Sequence, residues 1–354
     1  MKSEQRRPSF QISGALALAA AVVFCSASLF AQAQTFTSFD APGAGTGPGE
    51  GTFPAGINLH GVIAGSYEDS SLNFHGFLRY PNGQFTEFTP TIISHIFVAG
   101  INNLGQVVGH GDLTVRPYYS VGFLRNPGGV YVVISPAGAT STNAAAVNNS
   151  GEVAGYYFGT DNRYHGYLRD TAGNITPFDD PDVTSATGNG TYAWNINDNG
   201  VIAGTYNDQN GQLRAFIRDQ SGNFTNFDAV TGGSAAIQTM AINSSGEVVG
   251  YYGINNFNTH GFLRDAAGNV TDFNVPGSAI TLPNGINSAG VIVGLWGVPH
   301  QTKQEAFVRN AAGKIVTFQA PEANDVTSAN GINDNGSITG EWEDLNFVIH
   351  GFVQ

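Results

Sequence analysis

Ala241-Ile242-Asn243-Ser244-Ser245-Gly246-Glu247-Val248-Val249-Gly250-Tyr251-Tyr252 reads as two short apolar runs joined by a four-residue turn. Asn at the first turn position can bond its own backbone, and Gly at the last supplies a positive φ. Two further runs follow, His260-Gly261-Phe262-Leu263-Arg264-Asp265 and Asn269-Val270-Thr271-Asp272-Phe273, with Ala266-Ala267-Gly268 turning tightly between them. The four runs, A to D, predict an antiparallel four-stranded meander.

The same pattern recurs along the chain. The apolar-Asn-x-x-Gly-x-(Val/Ile)-x-Gly core begins at Ile57, Ile101, Val147, Ile196, Ile242, Ile286 and Ile332, at intervals of 44, 46, 49, 46, 44 and 46 residues. Such a period suits one propeller blade per repeat. Run C recurs as His75 to Arg79, Val121 to Arg125, His165 to Arg169, Arg214 to Arg218, Glu305 to Arg309 and His350 to Gln354. Run D recurs at Gln84 to Phe88, Asn174 to Phe178, Asn223 to Phe227 and Lys314 to Phe318, with Val130 to Ile134 as a degraded copy. The last repeat lacks run D, and Thr35-Phe36-Thr37-Ser38-Phe39-Asp40 near the other end supplies one. This displacement predicts an all-β, seven-bladed β-propeller of four-stranded antiparallel blades, closed by the N-terminal strand joining the C-terminal blade. Closure would remove an unpaired sheet edge.

Residues 1–33 read as a signal peptide. Lys2, Arg6 and Arg7 precede an apolar run from Ile12 to Phe30, and Ala31-Gln32-Ala33 fits a cleavage site. Residues 34–354 then form one repeat domain. Cys25, the only cysteine, falls in the signal, so the expected exported chain has no disulfide to stabilise it. It carries 11 basic and 26 acidic side chains, a net charge of −15. That acidity argues against nucleic acid and anionic membrane as partners. A monomer in the periplasm or outside the cell is expected.

The repeated residues have structural readings. Asn58, Asn102, Asn148, Asn197, Asn243, Asn287 and Asn333 cap their own turns. The strand B aromatics Tyr67, Tyr157, Tyr206, Tyr252, Trp296 and Trp342 pack between blades. Arg79, Arg125, Arg169, Arg218, Arg264 and Arg309 are paired or solvated, with Asp170, Asp219 and Asp265 beside three of them. His75, His165, His260 and His350, one per blade, cannot converge on one metal and make structural hydrogen bonds. No cofactor or metal is expected, and no nucleophile-elbow, zinc or phosphate-loop motif occurs.

The B–C and D–A loops vary in length and emerge on one face, the usual binding face of a repeat protein. Tyr118, Tyr119 and Trp194 break the repeat and, with Trp296 and Trp342, are the candidate ligand-binding residues for an extracellular glycan or surface protein. A non-catalytic binding module is the expected function. The competing reading is a secreted glycan-active hydrolase or lyase with loop carboxylates in the central pocket, since a propeller alone decides neither.

The His-Gly/Ala-Phe element after Ile-Asn-x-x-Gly-x-Val-x-Gly resembles the HAF-type extracellular repeat of bacterial exported proteins, across all seven units. The resemblance implies export and repetition and no defined activity. Val121-Gly122-Phe123, Arg214-Ala215-Phe216 and Glu305-Ala306-Phe307 depart from it at the His. N-terminal sequencing of secreted material is expected to begin at Gln34; a start at Met1 in a membrane fraction would show an anchor instead.

Overall fold

A computed structural model of the protein describes residues 35–116, 119–229, 237–255, 258–298 and 303–354. Every regular element among them is a β-strand. The strands sort into antiparallel sets of four. In the first unit, strand A is Gly51–Ile57, B is Ile63–Glu68, C is Phe74–Arg79 and D is Phe85–Phe88. The quoted stretch gives Ile237–Ile242, Val248–Asn255, Asn258–Arg264 and Val270–Phe273. In the last unit, Thr327–Ile332, Ile338–Glu343 and Ile349–Val353 are joined by Thr37–Phe39, which pairs antiparallel with Ile349–Val353 in the register Thr37 opposite Val353 and Phe39 opposite Gly351.

Successive units are stitched near the start of strand A. Gly51 bridges Ile349 in parallel, Ile280 bridges Thr259, and isolated parallel bridges join Gly190 to Tyr164 and Val326 to Gln304. Two of these bridges merge neighbouring four-stranded sets into eight-stranded sheets. The buried apolar clusters likewise each draw on two successive units. Ala64, Leu78 and Phe88 pack against Ile93, Val107 and Phe123 of the next unit. Phe39 and Ala41 pack on Ile57, Ile63, Tyr67 and Phe77. Each sheet therefore hides both faces, as its density of Val, Ile and Phe requires.

The turn and the glycine after it explain the sequence signature. Gly246 has φ +84°, which a side chain rarely tolerates. Gly250 lies under strand A, and a Cβ there would stand 2.0 Å from the Gln238 carbonyl oxygen and 2.8 Å from the Phe262 ring. The approach is close because strand A bulges beside it, between Thr239 and Ala241. All seven units place a bulge at this point, the bulged residues being Ala55, Ala99, Ala145, Trp194, Met240, Asn284 and Asn330.

The turn asparagines do more than cap. Asn243 Oδ1 accepts the Ser245 and Glu247 amides at 3.1 and 2.9 Å, as the sequence suggests. Its Nδ2 also donates to the Asn287 carbonyl of the next unit at 3.1 Å. The same donation runs from Asn58 to Asn102, Asn102 to Asn148, Asn148 to Asn197, Asn197 to Asn243 and Asn287 to Asn333, and Asn333 returns it to Asn58 at 2.9 Å. The ends of all seven A strands surround one depression of about 250 Å³. They therefore meet at a common axis.

Asp caps a turn about as well as Asn but cannot donate. Asn287→Asp and Asn333→Asp are each expected to cost about 3 kcal/mol in urea denaturation, the penalty of setting a carboxylate against a buried carbonyl. Equal losses would show that the return bond to Asn58 bears on stability like a bond within the series. A neutral Asn333→Asp would show that it does not.

Candidate ligand site beside the axis

The side chains that recur in every unit are occupied by the fold. Arg79 lies over Phe39 at 4.6 Å, Arg125 over Phe88, Arg218 over Phe178, Arg264 over Phe227 and Arg309 over Phe273. Each guanidinium thus sits on the strand D phenylalanine of the preceding set, a cation–π contact strengthened by burial. The expected pairing with the following aspartates does not occur. Arg169, Arg218 and Arg264 donate to the backbone carbonyls of Asp170, Asp219 and Asp265. Those carboxylates close the C–D turns, receiving Asn174, Asn223 and Asn269, and these bonds hold their pKa values down.

The histidines stack on strand B aromatics and bond acids. His75 lies 4.9 Å from Tyr67 and bonds Asp69 and Thr89. His165 stacks on Tyr157 and bonds Asp161 and Asp179, and His350 stacks on Trp342 and bonds Asp40. Arg214 takes this place in the fourth unit, bridging Asp208 and Asp228 at 3.0 Å each. The His-to-Arg departure in the sequence therefore keeps the same donor role.

Among the candidate aromatics, Tyr118 lies outside the described residues. Tyr119 is exposed, and its carbonyl receives the Leu113 amide. Trp342 is 4% exposed, and its indole donates to Ser38 Oγ at 3.0 Å, so the ring belongs to the packing around the strand Thr37–Phe39. Trp296 packs partly buried against the cluster of Val249, Ile286 and Phe307. Trp194 stands apart. It is the bulged residue of its strand A, where other units carry Ala, Met or Asn.

Around Trp194 the structure gathers residues that differ between units. Tyr192 stacks on Trp194 at 5.9 Å, and Tyr156 meets Trp194 edge-on at 4.8 Å and Tyr192 at 5.3 Å. Tyr164 closes the group 4.9 Å from Tyr192, and Trp194 Nε1 donates to Thr205 Oγ1. Burial, reinforced by the neighbouring phenols, pushes Tyr192 up to about 12, and burial also raises Tyr156. These rings are neutral at any physiological pH.

The belt continues through Asn143, whose amide donates to Tyr156 Oη and lies 3.2 Å from His110 Nδ1. His110, its pKa lowered by burial, stacks on Phe97 at 5.2 Å. Phe97 meets Phe74 at 4.6 Å, and Phe74 meets Phe53 at 6.0 Å. Phe97 is 38% exposed, unusual for so large an apolar ring. Beyond Phe53 comes Asn330, which donates to the Pro54 carbonyl and, at 3.4 Å, to Glu341. Phe53, Pro54, Ala55, Ser66, Phe74, Phe97, Val98, Asn330 and Glu341 line a cavity of about 300 Å³.

The sequence reading missed Tyr156, His110 and Glu341. They occupy one column of the repeat, the residue after the strand B glycine, which reads Ser66, His110, Tyr156, Thr205, Tyr251, Leu295 and Glu341 down the chain. A column that varies directly after an invariant glycine and before a mostly aromatic one was the available signal. Among the described residues, no group of three or more His, Cys, Asp or Glu is placed to hold a metal ion.

No family model matches the sequence, and no curated protein matches it. Solved structures do. A streptogramin B lyase superposes with a TM-score of 0.56 at 12% identity, over 90% of this chain and 97% of that one. A catalytically inactive virginiamycin B lyase from Staphylococcus aureus with quinupristin gives 0.58 at 12% identity, over 90% and 99%. The β-propeller domain of the Trilobed protease from Pyrococcus furiosus, described as having an open velcro topology, gives 0.60 at 9% identity, over 85% and 95%. The chain has a propeller fold; identities this low carry the fold and no activity.

Glu341 is held by burial at about 7, above its usual 4.5, and the single amide of Asn330 offsets this only in part. The folded chain therefore binds more protons than the unfolded one between those values, and its stability falls as pH rises from about 4.5 to about 7. Glu341→Gln is expected to remove that decline, gaining on the order of 2–3 kcal/mol relative to wild type between pH 5 and pH 8 in urea melts. A wild-type-to-variant difference that stays constant with pH would show that the carboxyl is not held protonated.

Proposed function

We propose that the protein is an exported, non-catalytic binding protein built on a seven-bladed propeller of HAF-type repeats, acting as a monomer. Closure of the ring by Thr37–Phe39 is supported by its pairing with the last unit and by the return bond from Asn333 to Asn58. Export is supported by the signal-like residues 1–33 and the acidic remainder of the chain.

The observation that carries the binding role is the division of labour within the repeat. Columns shared by the units are consumed by turns and interfaces, whereas unshared residues of strands A, B and C converge at Tyr156, Tyr164, Tyr192 and Trp194. Clustered aromatic faces with a few hydroxyls and amides suit the apolar face of a sugar ring or another flat ligand. A glycan hydrolase working by acid–base chemistry needs two carboxyls about 5–9.5 Å apart. Glu341 is the one acid lining the neighbouring cavity, which favours binding over hydrolysis.

A glycan array followed by calorimetry on the best hit tests this. Trp194→Ala is expected to weaken binding at least about tenfold, the value of one lost stacking contact plus its buried area. The bound glycan should be recovered intact. Turnover of the glycan, abolished by Glu341→Gln, would replace the binding reading with the enzymatic one.

A further inference from the structure

A second, separate feature lies on the other wall of the belt. The cavity between the last, first and second units is lined by the rings of Phe53, Phe74 and Phe97, which contact one another in series, and by Pro54 and Val98. Glu341 reaches its wall from strand B of the last unit, where it lies opposite Gly351 and Ser328. Glu341 is part-buried and lines the cavity, and among the described residues its carboxyl has one long hydrogen bond, from the Asn330 amide at 3.4 Å. No ion pair among the described residues includes Glu341. The groups facing it, Ser66, Ser328, Asn330 and the phenylalanines, carry no charge. The nearest titratable neighbour in the belt, His110, is separated from the cavity by the Phe97 ring on which it stacks.

A part-buried carboxyl with one long hydrogen bond and no ion pair, beside aromatic rings, is costly for the free protein and favourable for one kind of guest. A neutral apolar ligand would cover the carboxylate and leave it only the Asn330 amide. An anion would be repelled. A cation with an apolar body would meet the carboxylate at one end and ring faces around it. From this geometry we infer that the cavity beside Glu341 is a binding site for a small organic ammonium ion carrying an apolar or aromatic group. The volume of about 300 Å³ limits the guest to small molecules. The site does not depend on the tyrosine and tryptophan cluster of the proposed glycan site.

The probe is phenethylammonium chloride, titrated calorimetrically into the whole folded protein, with 2-phenylethanol as a neutral analogue of similar shape. The ammonium ion is expected to bind at least about tenfold more tightly than the alcohol, and Glu341→Gln to abolish that preference. Because the guest needs the ionised carboxylate, which is held at about 7, binding should tighten about tenfold from pH 6 to pH 8. Phe97→Leu, which keeps an apolar side chain but loses the ring face, should weaken the ammonium ion more than the alcohol. Cooperative unfolding of each variant establishes that it folds. Equal affinity for both probes, an ammonium affinity unchanged in Glu341→Gln, or no binding of the ammonium ion at pH 8 would each overturn the inference. Glycan binding weakened by Trp194→Ala would be untouched by any of these results.

Discussion

Seven amide-to-carbonyl bonds beside the axis are the constraint on which the other features depend. Each turn asparagine uses its carbonyl to fold its own turn and its amide to hold the next. One side chain thus couples the shape of a unit to the position of its neighbour. With the turn fixed, strand B must start at a set height, and its glycine falls under the bulge of strand A. The phenylalanine of strand C then fills the space left by the missing Cβ. The described residues contain no cysteine, so these bonds and the clusters between units keep the sheets in register without a disulfide among them.

Much of this was legible in the sequence, because a repeat performs its own comparison. Seven copies of one pattern located the strands, turns and the displaced strand Thr37–Phe39 to within about three residues. The second half of the asparagine's role was also written there, though less plainly. At the first position of such a turn Asp and Ser serve as well as Asn. Seven asparagines without an exception indicate that the Nδ2 hydrogens are needed, a requirement that the capping explanation leaves unused. The arginines were misjudged for a related reason. Adjacent aspartates suggested ion pairs, but neighbours along a strand point to opposite faces, and the partner was a phenylalanine 36–40 residues upstream in the preceding unit.

The site was harder to see. The sequence reading reached Trp194 but, alongside it, chose Tyr118, Tyr119, Trp296 and Trp342, whereas the residues that join Trp194 in the belt are the strand residues Phe97, His110 and Tyr156. A strand residue that changes from unit to unit looks like tolerated drift until its column is known to face strand A of the next unit, where the copies meet. There, variation is the only means by which a repeated fold can make one direction differ from another. Seven equivalent units cannot recognise an asymmetric ligand; a belt carrying aromatic rings on one arc and a carboxyl on another can.

The amide series has an electrical consequence. All seven bonds point the same way round, from each unit to the one that follows it, and the last hands on to the first. Their dipoles are therefore tangential and circulate. Around a complete circuit they cancel, leaving almost no potential along the axis, unlike the N–H groups at a helix end, which all face one ligand. A polar collar built this way binds the units together without attracting or repelling whatever enters between them. The field there is left to charged side chains, Asp198 and Asp334 at the depression and Glu341 in the neighbouring cavity among them.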